Sequence, residues 1–163
     1  MLAEARIDDP HFFDDKVVVD IGPGPLGFPD AVPAKLSIGV EPLADRYREH
    51  GLLIEHSTAE YLSIGAEHIP LETNTVDVVV ARNSLDHVDD PDAVLAEIQR
   101  LLKPGGALIL NFDAGHEPTA TEPHTLTRER IATALHQMTI VSEEVLAAAH
   151  GGGETLVLVA RRD

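Results

Sequence analysis

Runs of valine, isoleucine and leucine alternate with helical patterns along most of this chain, and no other feature limits its fold as strongly. Five runs predict strands: KVVVDI (16–21), LSIGVE (36–41), EYLSIGA (60–66), VDVVVAR (76–82) and ALILNFD (107–113). TIVSEEV (139–145) and TLVLVAR (155–161) predict two late strands, joined through the glycines at 151–153, that pair antiparallel. Near-continuous apolar strands separated by helices are typical of a sheet covered on both faces. We therefore expect a doubly wound α/β domain.

Three segments between these strands have helical patterns. They are PLADRYREHG (42–51), DDPDAVLAEIQRLLKPGG (89–106) and TRERIATALHQ (127–137). The middle segment is the clearest, because Asp90 suits the N-cap and apolar residues then recur on one face. Gly51 and the Pro-Gly-Gly triplet at 104–106 predict where the first two helices end. A loop rich in proline and threonine (114–126) precedes the third helix.

Composition excludes several kinds of protein. The 163 residues suffice for one domain, which we place at 1–163, and the absence of cysteine excludes disulfides, thiolate nucleophiles and thiolate metal sites. The net charge of −16 opposes binding to nucleic acid. The apolar runs are too short to span a membrane and the N-terminus lacks a signal pattern, so we expect a cytoplasmic protein.

A glycine loop follows the first predicted strand directly. Gly22, Gly24 and Gly27 have the spacing G-x-G-x-x-G, and Glu41 ends the second strand. Ligands of doubly wound folds bind at the carboxyl ends of the strands, and a carboxylate there accepts hydrogen bonds from both hydroxyls of a ribose. Together these features predict a ligand that contains adenosine.

Two details of this loop argue against a dinucleotide. Pro23 and Pro25 lack the backbone N–H groups that hold a pyrophosphate. Asp20 lies two residues before the first glycine, where its carboxylate would repel phosphate and attract a cation. S-adenosylmethionine carries an adenosine, an ammonium group and a sulfonium but no phosphate, so it satisfies both details. An NAD-dependent oxidoreductase is the weaker alternative.

Three successive stretches of the chain resemble the motifs of class I S-adenosylmethionine-dependent methyltransferases of the small-molecule type 11. They are VVVDIGPGPLG (17–27), IGVEPL (38–43) and the block from 66 to 110. The resemblance implies a Rossmann-like sheet of seven strands, mostly parallel with an antiparallel last strand and with helices on both faces. It also implies S-adenosylmethionine as cofactor and a small molecule as methyl acceptor. The cofactor-binding residues that it implies are Asp20, Gly22 and Gly24 at the methionine end, Glu41 at the ribose, Ala66 and Glu67 at the adenine, and Asn83 facing the methionine part and the substrate.

The chain departs from this family in three places. Its third glycine, Gly27, comes one position late, and Gly65 stands where the family often has an acid. The family usually carries N-terminal helices that cover the substrate, whereas 15 residues precede Lys16 here. We expect the loop 114–126 to provide this cover; the alternatives are a second copy of the chain in a homodimer and a substrate large enough to cover the site itself. These departures leave a non-catalytic cofactor-binding module or partner subunit as an alternative function.

Candidates for catalysis lie beyond the fourth strand. His87 would act as a general base for an acceptor that must lose a proton. His116 and His124 in the loop 114–126 are weaker candidates. The sequence ARNS (81–84), in place of an N/D-P-P-Y motif, argues against methylation of amino groups in nucleic acid bases or glutamine. The nine histidines lack the HExxH spacing, so the sequence predicts no metal site.

Overall fold

The fold is built around one mixed sheet. A computed structural model describes residues 7–25, 32–53, 59–147 and 153–163. The strands are β1 (Val17–Ile21), β2 (Leu36–Val40), β3 (Glu60–Leu62), β4 (Val76–Arg82), β5 (Leu102–Ala114), β6 (Met138–Ala147) and β7 (Glu154–Arg162). The helices of the described residues are α1 (Ala44–Glu49), α2 (Pro91–Leu101) and α3 (Arg128–Ala134).

The strand order places a binding crevice at the carboxyl ends of β1 and β4. The strands lie in the order β3-β2-β1-β4-β5-β7-β6. β1 to β5 run parallel, and β7 is antiparallel to both of its neighbours, β5 and β6. This topology confirms the predicted α/β sheet with an antiparallel last strand. Because the chain order reverses between β1 and β4, their connections leave in opposite directions and open a space for a ligand.

The two faces of the sheet carry separate apolar cores. Val19 and Ile21 of β1 belong to the larger core, which α2 and α3 cover with residues such as Ile98 and Ile131. Val18, one position along the strand, belongs to the smaller core together with Phe12 and Phe13. The strands are therefore buried on both sides, which explains why their sequences are nearly continuous in apolar residues.

Helix α2 begins as predicted and ends earlier. The Asp90 carboxylate accepts hydrogen bonds from the N–H groups of Asp92 and Ala93, so Asp90 is the N-cap. The predicted stop at the Pro-Gly-Gly triplet lies beyond the observed end, because α2 ends at Leu101 and β5 begins at Leu102. Lys103 precedes Pro104 and therefore favours extended backbone, and Leu102 just before it pairs with Val76 of β4.

The other helices are also shorter than their patterns predict. α1 is followed by Gly51, whose φ of +64° ends the helical path as expected. The segment EYLSIGA forms a strand only at 60–62, and α3 is confined to 128–134. Among the described residues, no helix combines the length and apolar character that a membrane crossing requires.

Candidate cofactor-binding site

A cavity of about 520 Å³ lies at the carboxyl ends of β1, β2 and β4. The following predicted site residues line it: Gly22, Gly24, Glu41, Ala66, Glu67, Asn83 and His87. They come from four separate segments of the chain, which the parallel sheet brings to one edge. A cavity of this volume is within the range of small-molecule and cofactor sites.

The glycine turn requires glycine at its first position for two reasons. Gly22 has a φ of +65°, which L side chains rarely adopt, and its N–H donates to the carbonyl of Val40 at 2.9 Å. A Cβ at position 22 would lie 2.6 Å from the Cβ of Ser84. Gly24 also has a positive φ, of +64°, but the space where its Cβ would stand is open. Gly27 lies outside the described residues.

Asp20 is placed differently from the other predicted residues. Its side chain is buried, with 2% exposed, inside β1 between Gly39 of β2 and Val80 of β4. Side chains alternate along a strand, so Asp20 and the cavity-lining Ile21 point to opposite faces of the sheet. The predicted contact between Asp20 and the cofactor stays a prediction.

Glu41 connects the second strand to the glycine turn. Its Oε2 accepts a hydrogen bond from the Gly24 N–H at 3.1 Å, and its Oε1 accepts one from the Leu43 N–H at 3.0 Å. Each carboxylate oxygen has a second acceptor site, so both remain able to bind a hydroxyl. Partial burial, together with the nearby Glu41 carboxylate, raises the pKa of Tyr47, which also lines the cavity as a neutral phenol.

Glu67 fixes the part of the cavity wall that leads into α2. Its Oε1 accepts hydrogen bonds from the N–H groups of Asp89 and Asp90, at 3.0 and 3.3 Å. A Cβ at position 65 would lie 2.5 Å from Oε2 of Glu67, so Gly65 leaves the space that this carboxylate occupies. Sequence reasoning placed Glu67 at the adenine and did not detect that it holds the segment leading into α2.

The segment after β4 packs directly against the glycine turn. Asn83 has a φ of +46° and its N–H donates to the carbonyl of Asn111 at 3.0 Å, so the chain turns sharply here. The Oγ of the buried Ser84 donates to the carbonyl of Ile21 at 2.7 Å. The role of Ser84 was not predicted, and the one signal in the sequence that indicates it is a small residue shortly after the β4 strand that meets the glycine turn.

His87 lies on the cavity wall with one ring nitrogen fixed. Its Nδ1 is 2.7 Å from the carbonyl oxygen of Thr121, which can only accept, so Nδ1 carries the hydrogen. In the neutral ring Nε2 then holds a lone pair, and it is 3.8 Å from Oδ1 of Asp86. The side chain is 41% exposed. His87 therefore has a free basic atom beside the cavity, as a general base requires.

The loop 114–126 packs against the outside of this wall. His124 Nε2 donates to the carbonyls of Val88 and Asp89, at 2.9 and 3.1 Å. Among the described residues, those lining the cavity include none from this loop. The loop therefore packs behind the wall that Val88 and Asp89 form, and the expectation that it covers the cavity is not met.

His116 and Asp86 form a second histidine–carboxylate contact next to His87. His116 Nε2 is 3.3 Å from Oδ2 of Asp86. A hydrogen bond to the carbonyl of Glu117, reinforced by the Asp86 charge, raises the pKa of His116. Neither His116 nor Asp86 lines the cavity, so their contact lies behind the wall that His87 lines.

Residues 19–110 match the family described as the methyltransferase domain, and the match covers more than half of the chain. The chain therefore belongs to this family, in the class I S-adenosylmethionine-dependent methyltransferases that the sheet and the glycine turn define.

The chain is also similar to individual methyltransferases over part of their length. It is 36% identical to an uncharacterized methyltransferase of Schizosaccharomyces pombe over 55% of the chain and 37% of the relative. It is 34% identical to the ubiquinone/menaquinone biosynthesis C-methyltransferase of Idiomarina loihiensis over 55% of the chain and 33% of the relative. The chain thus spans about a third of the length of these curated relatives.

A solved structure shares the fold across nearly the whole chain. It is the 1,6-didemethyltoxoflavin-N1-methyltransferase of Burkholderia thailandensis, solved with 1,6-didemethyltoxoflavin and S-adenosylhomocysteine bound. The TM-score is 0.70 at 20% identity, and the alignment covers 98% of this chain and 76% of the Burkholderia chain. At this identity the likeness establishes the fold.

Proposed function

We propose that the chain binds S-adenosylmethionine in this cavity and transfers its methyl group to a nucleophilic atom of a small molecule. The observation that carries the proposal is the position of Glu41, a buried carboxylate at the end of β2 that contacts the glycine turn through Gly24. Such a carboxylate suits a ribose, and the class to which the chain belongs uses this cofactor. The cofactor supplies a methyl group already activated on a sulfonium.

The residues around the cavity fit the parts of that cofactor. The open space above Gly24 lets a ligand approach the backbone, while Glu41 offers one acceptor oxygen to each ribose hydroxyl. We assign Ala66 and Glu67 to the adenine side and Asn83 to the methionine and acceptor side. Asp20 would act from within β1 by favouring the positive charge of the ligand.

On the acceptor side, the chain mainly aligns the nucleophile with the methyl group. Orientation of this kind supplies roughly 7–11 kcal/mol in well-placed reactions. If the acceptor is a hydroxyl, Nε2 of His87 takes its proton, because Nδ1–H is held by Thr121.

A small molecule is the acceptor class that we favour. The Burkholderia neighbour binds 1,6-didemethyltoxoflavin, and the Idiomarina relative is named for ubiquinone and menaquinone biosynthesis. The net charge of −16 opposes a nucleic acid substrate.

A homodimer and a cytoplasmic location stay predictions, and sedimentation velocity tests the first.

Calorimetric titration with S-adenosylhomocysteine and with NAD tests the cofactor. We expect saturable binding of S-adenosylhomocysteine and none of NAD. Glu41→Gln should weaken binding by about 1.5–3 kcal/mol, because it removes the charge from hydrogen bonds to two hydroxyls. Glu72→Gln changes an exposed acid away from the cavity and should leave affinity unchanged.

Two results would contradict the proposal. NAD binding without any response to S-adenosylhomocysteine would favour an oxidoreductase. Equal affinity of the wild type and Glu41→Gln would show that Glu41 does not contact the ligand. A screen for methyl transfer to small acceptors then separates an enzyme from a non-catalytic cofactor-binding module.

A further inference from the structure

Three potential metal ligands lie close together beside the cavity wall that His87 lines. Asp86 and His87 follow β4, and Glu122 belongs to the loop 114–126 that packs against them. One ligand atom from each side chain lies within 4.8 Å of the other two. The group thus joins two loops that are separate in sequence, so no local spacing such as HExxH could have indicated it.

Asp86 contributes a second, independent observation, a buried carboxylate oxygen without a hydrogen-bond partner. The residue is 1% exposed, and its Oδ1 is buried without a hydrogen-bond partner. Buried carboxylate oxygens are expensive to leave unpaired, so an orphaned one needs an explanation. Its neighbour, Nε2 of His87 at 3.8 Å, is too distant for a hydrogen bond.

His87 presents the matching donor atom. Because Thr121 fixes the hydrogen on Nδ1, the neutral ring turns its Nε2 lone pair toward Asp86. In the neutral ring these two atoms are both electron-pair donors, and the Glu122 carboxylate completes the group of three. A cation between the three satisfies every one of these atoms at once.

We propose that Oδ1 of Asp86, Nε2 of His87 and the Glu122 carboxylate bind a divalent first-row transition-metal ion. An imidazole beside two carboxylates suits ions such as Mn²⁺, Fe²⁺ or Zn²⁺ better than Mg²⁺ or Ca²⁺, which prefer oxygen ligands alone. Three protein ligands leave further coordination positions open. The proposal competes with the sequence-based expectation of no metal site.

The position of the ion gives it a use in the proposed function. His87 lines the cavity, so an ion on its Nε2 lies at the acceptor side and can bind an acceptor oxygen. This use rests on the proposed methyl transfer, whereas binding of the ion does not. His87 then acts as a ligand, because one lone pair cannot serve both the ion and a substrate proton.

The test is titration of the chelator-treated full chain with Mn²⁺, followed by the loss of the free-ion signal in electron paramagnetic resonance. We expect one saturable site per chain. His87→Gln and Glu122→Gln should each weaken binding by about tenfold or more. These residues are partly exposed, so both variants should fold, and circular dichroism checks this.

Glu117→Gln is the matched control, because Glu117 is an exposed acid on the same loop and its substitution removes the same charge. Its Mn²⁺ affinity should equal that of the wild type. No saturable site, or an affinity that either His87→Gln or Glu122→Gln leaves unchanged, overturns the proposal. S-adenosylhomocysteine titration of the chelator-treated chain separates this failure from failure of the cofactor assignment, since the cofactor residues do not include the three ligands.

Discussion

At the scale of single residues, the site depends on positions where a side chain would not fit. Gly22 combines a positive φ with close packing against Ser84, whereas Gly51 has nearly the same φ, +64°, and open space around it. Comparing the two positions separates the backbone requirement from the packing requirement.

Gly22→Ala should lower the free energy of unfolding by about 2–4 kcal/mol, because left-handed strain and a clash with Ser84 add together. Gly51→Ala should cost only about 1–2 kcal/mol, from the strain alone. Urea denaturation of both variants measures the difference. Equal losses would show that the Ser84 contact relaxes without cost.

The site residues that could be predicted from the sequence are those at or directly after the end of a predicted strand. Gly22 and Glu41 end consecutive strands, so the fold class alone brings them together. Ser84 contacts Ile21 across 63 positions, and Glu67 holds Asp89 across 22, which no local pattern encodes. The orphaned oxygen of Asp86 is likewise visible only after the loops have packed.

At the scale of elements, boundaries were harder to predict than identities. The sequence LKPGG was expected to end α2, yet it opens β5 because Leu102 finds a partner in Val76. The pairing of β4 with β5 shifts register between Val76 and Val78, and this shift accommodates Gly105 and Gly106 in β5. A strand partner that lies 26 residues away decides the boundary, and periodicity cannot report it.

The N-cap of α2 offers a test at this scale. Asp90→Ala should destabilise the protein by about 1 kcal/mol, because the N–H groups of Asp92 and Ala93 lose their acceptor. Asp90→Ser keeps an acceptor and should retain most of the stability. Thermal or urea unfolding monitors both variants, and an equal loss in the two would assign the effect to the charge of Asp90 instead.

At the scale of the whole molecule, two carboxylates tie separate parts of the fold together. Asp77 accepts hydrogen bonds from Lys103 at 2.7 Å and from the N–H of Val17 at 2.9 Å, so it joins the starts of β1, β4 and β5. Glu97 of α2 accepts from Arg100 and from the N–H of Ile69. Partial burial opposes ionisation of both groups, but these hydrogen bonds outweigh it and lower the pKa of each.

A lowered pKa in the folded state fixes the direction of the pH dependence. As the pH falls, the unfolded chain takes up protons first, near the ordinary pKa values of about 3.9 for Asp and 4.3 for Glu. The stability that these two groups contribute is therefore present above these values. It is lost as the pH falls through the lower pKa values of the folded state. Glu97→Gln should cost about 1.5–3 kcal/mol at pH 7. Between about pH 5 and pH 3, Glu97→Gln and Asp77→Asn should each lose less stability than the wild type. Urea unfolding across this range measures the slopes, with exposed Glu117→Gln as control, and slopes equal to that of the wild type would show that neither carboxylate governs acid stability.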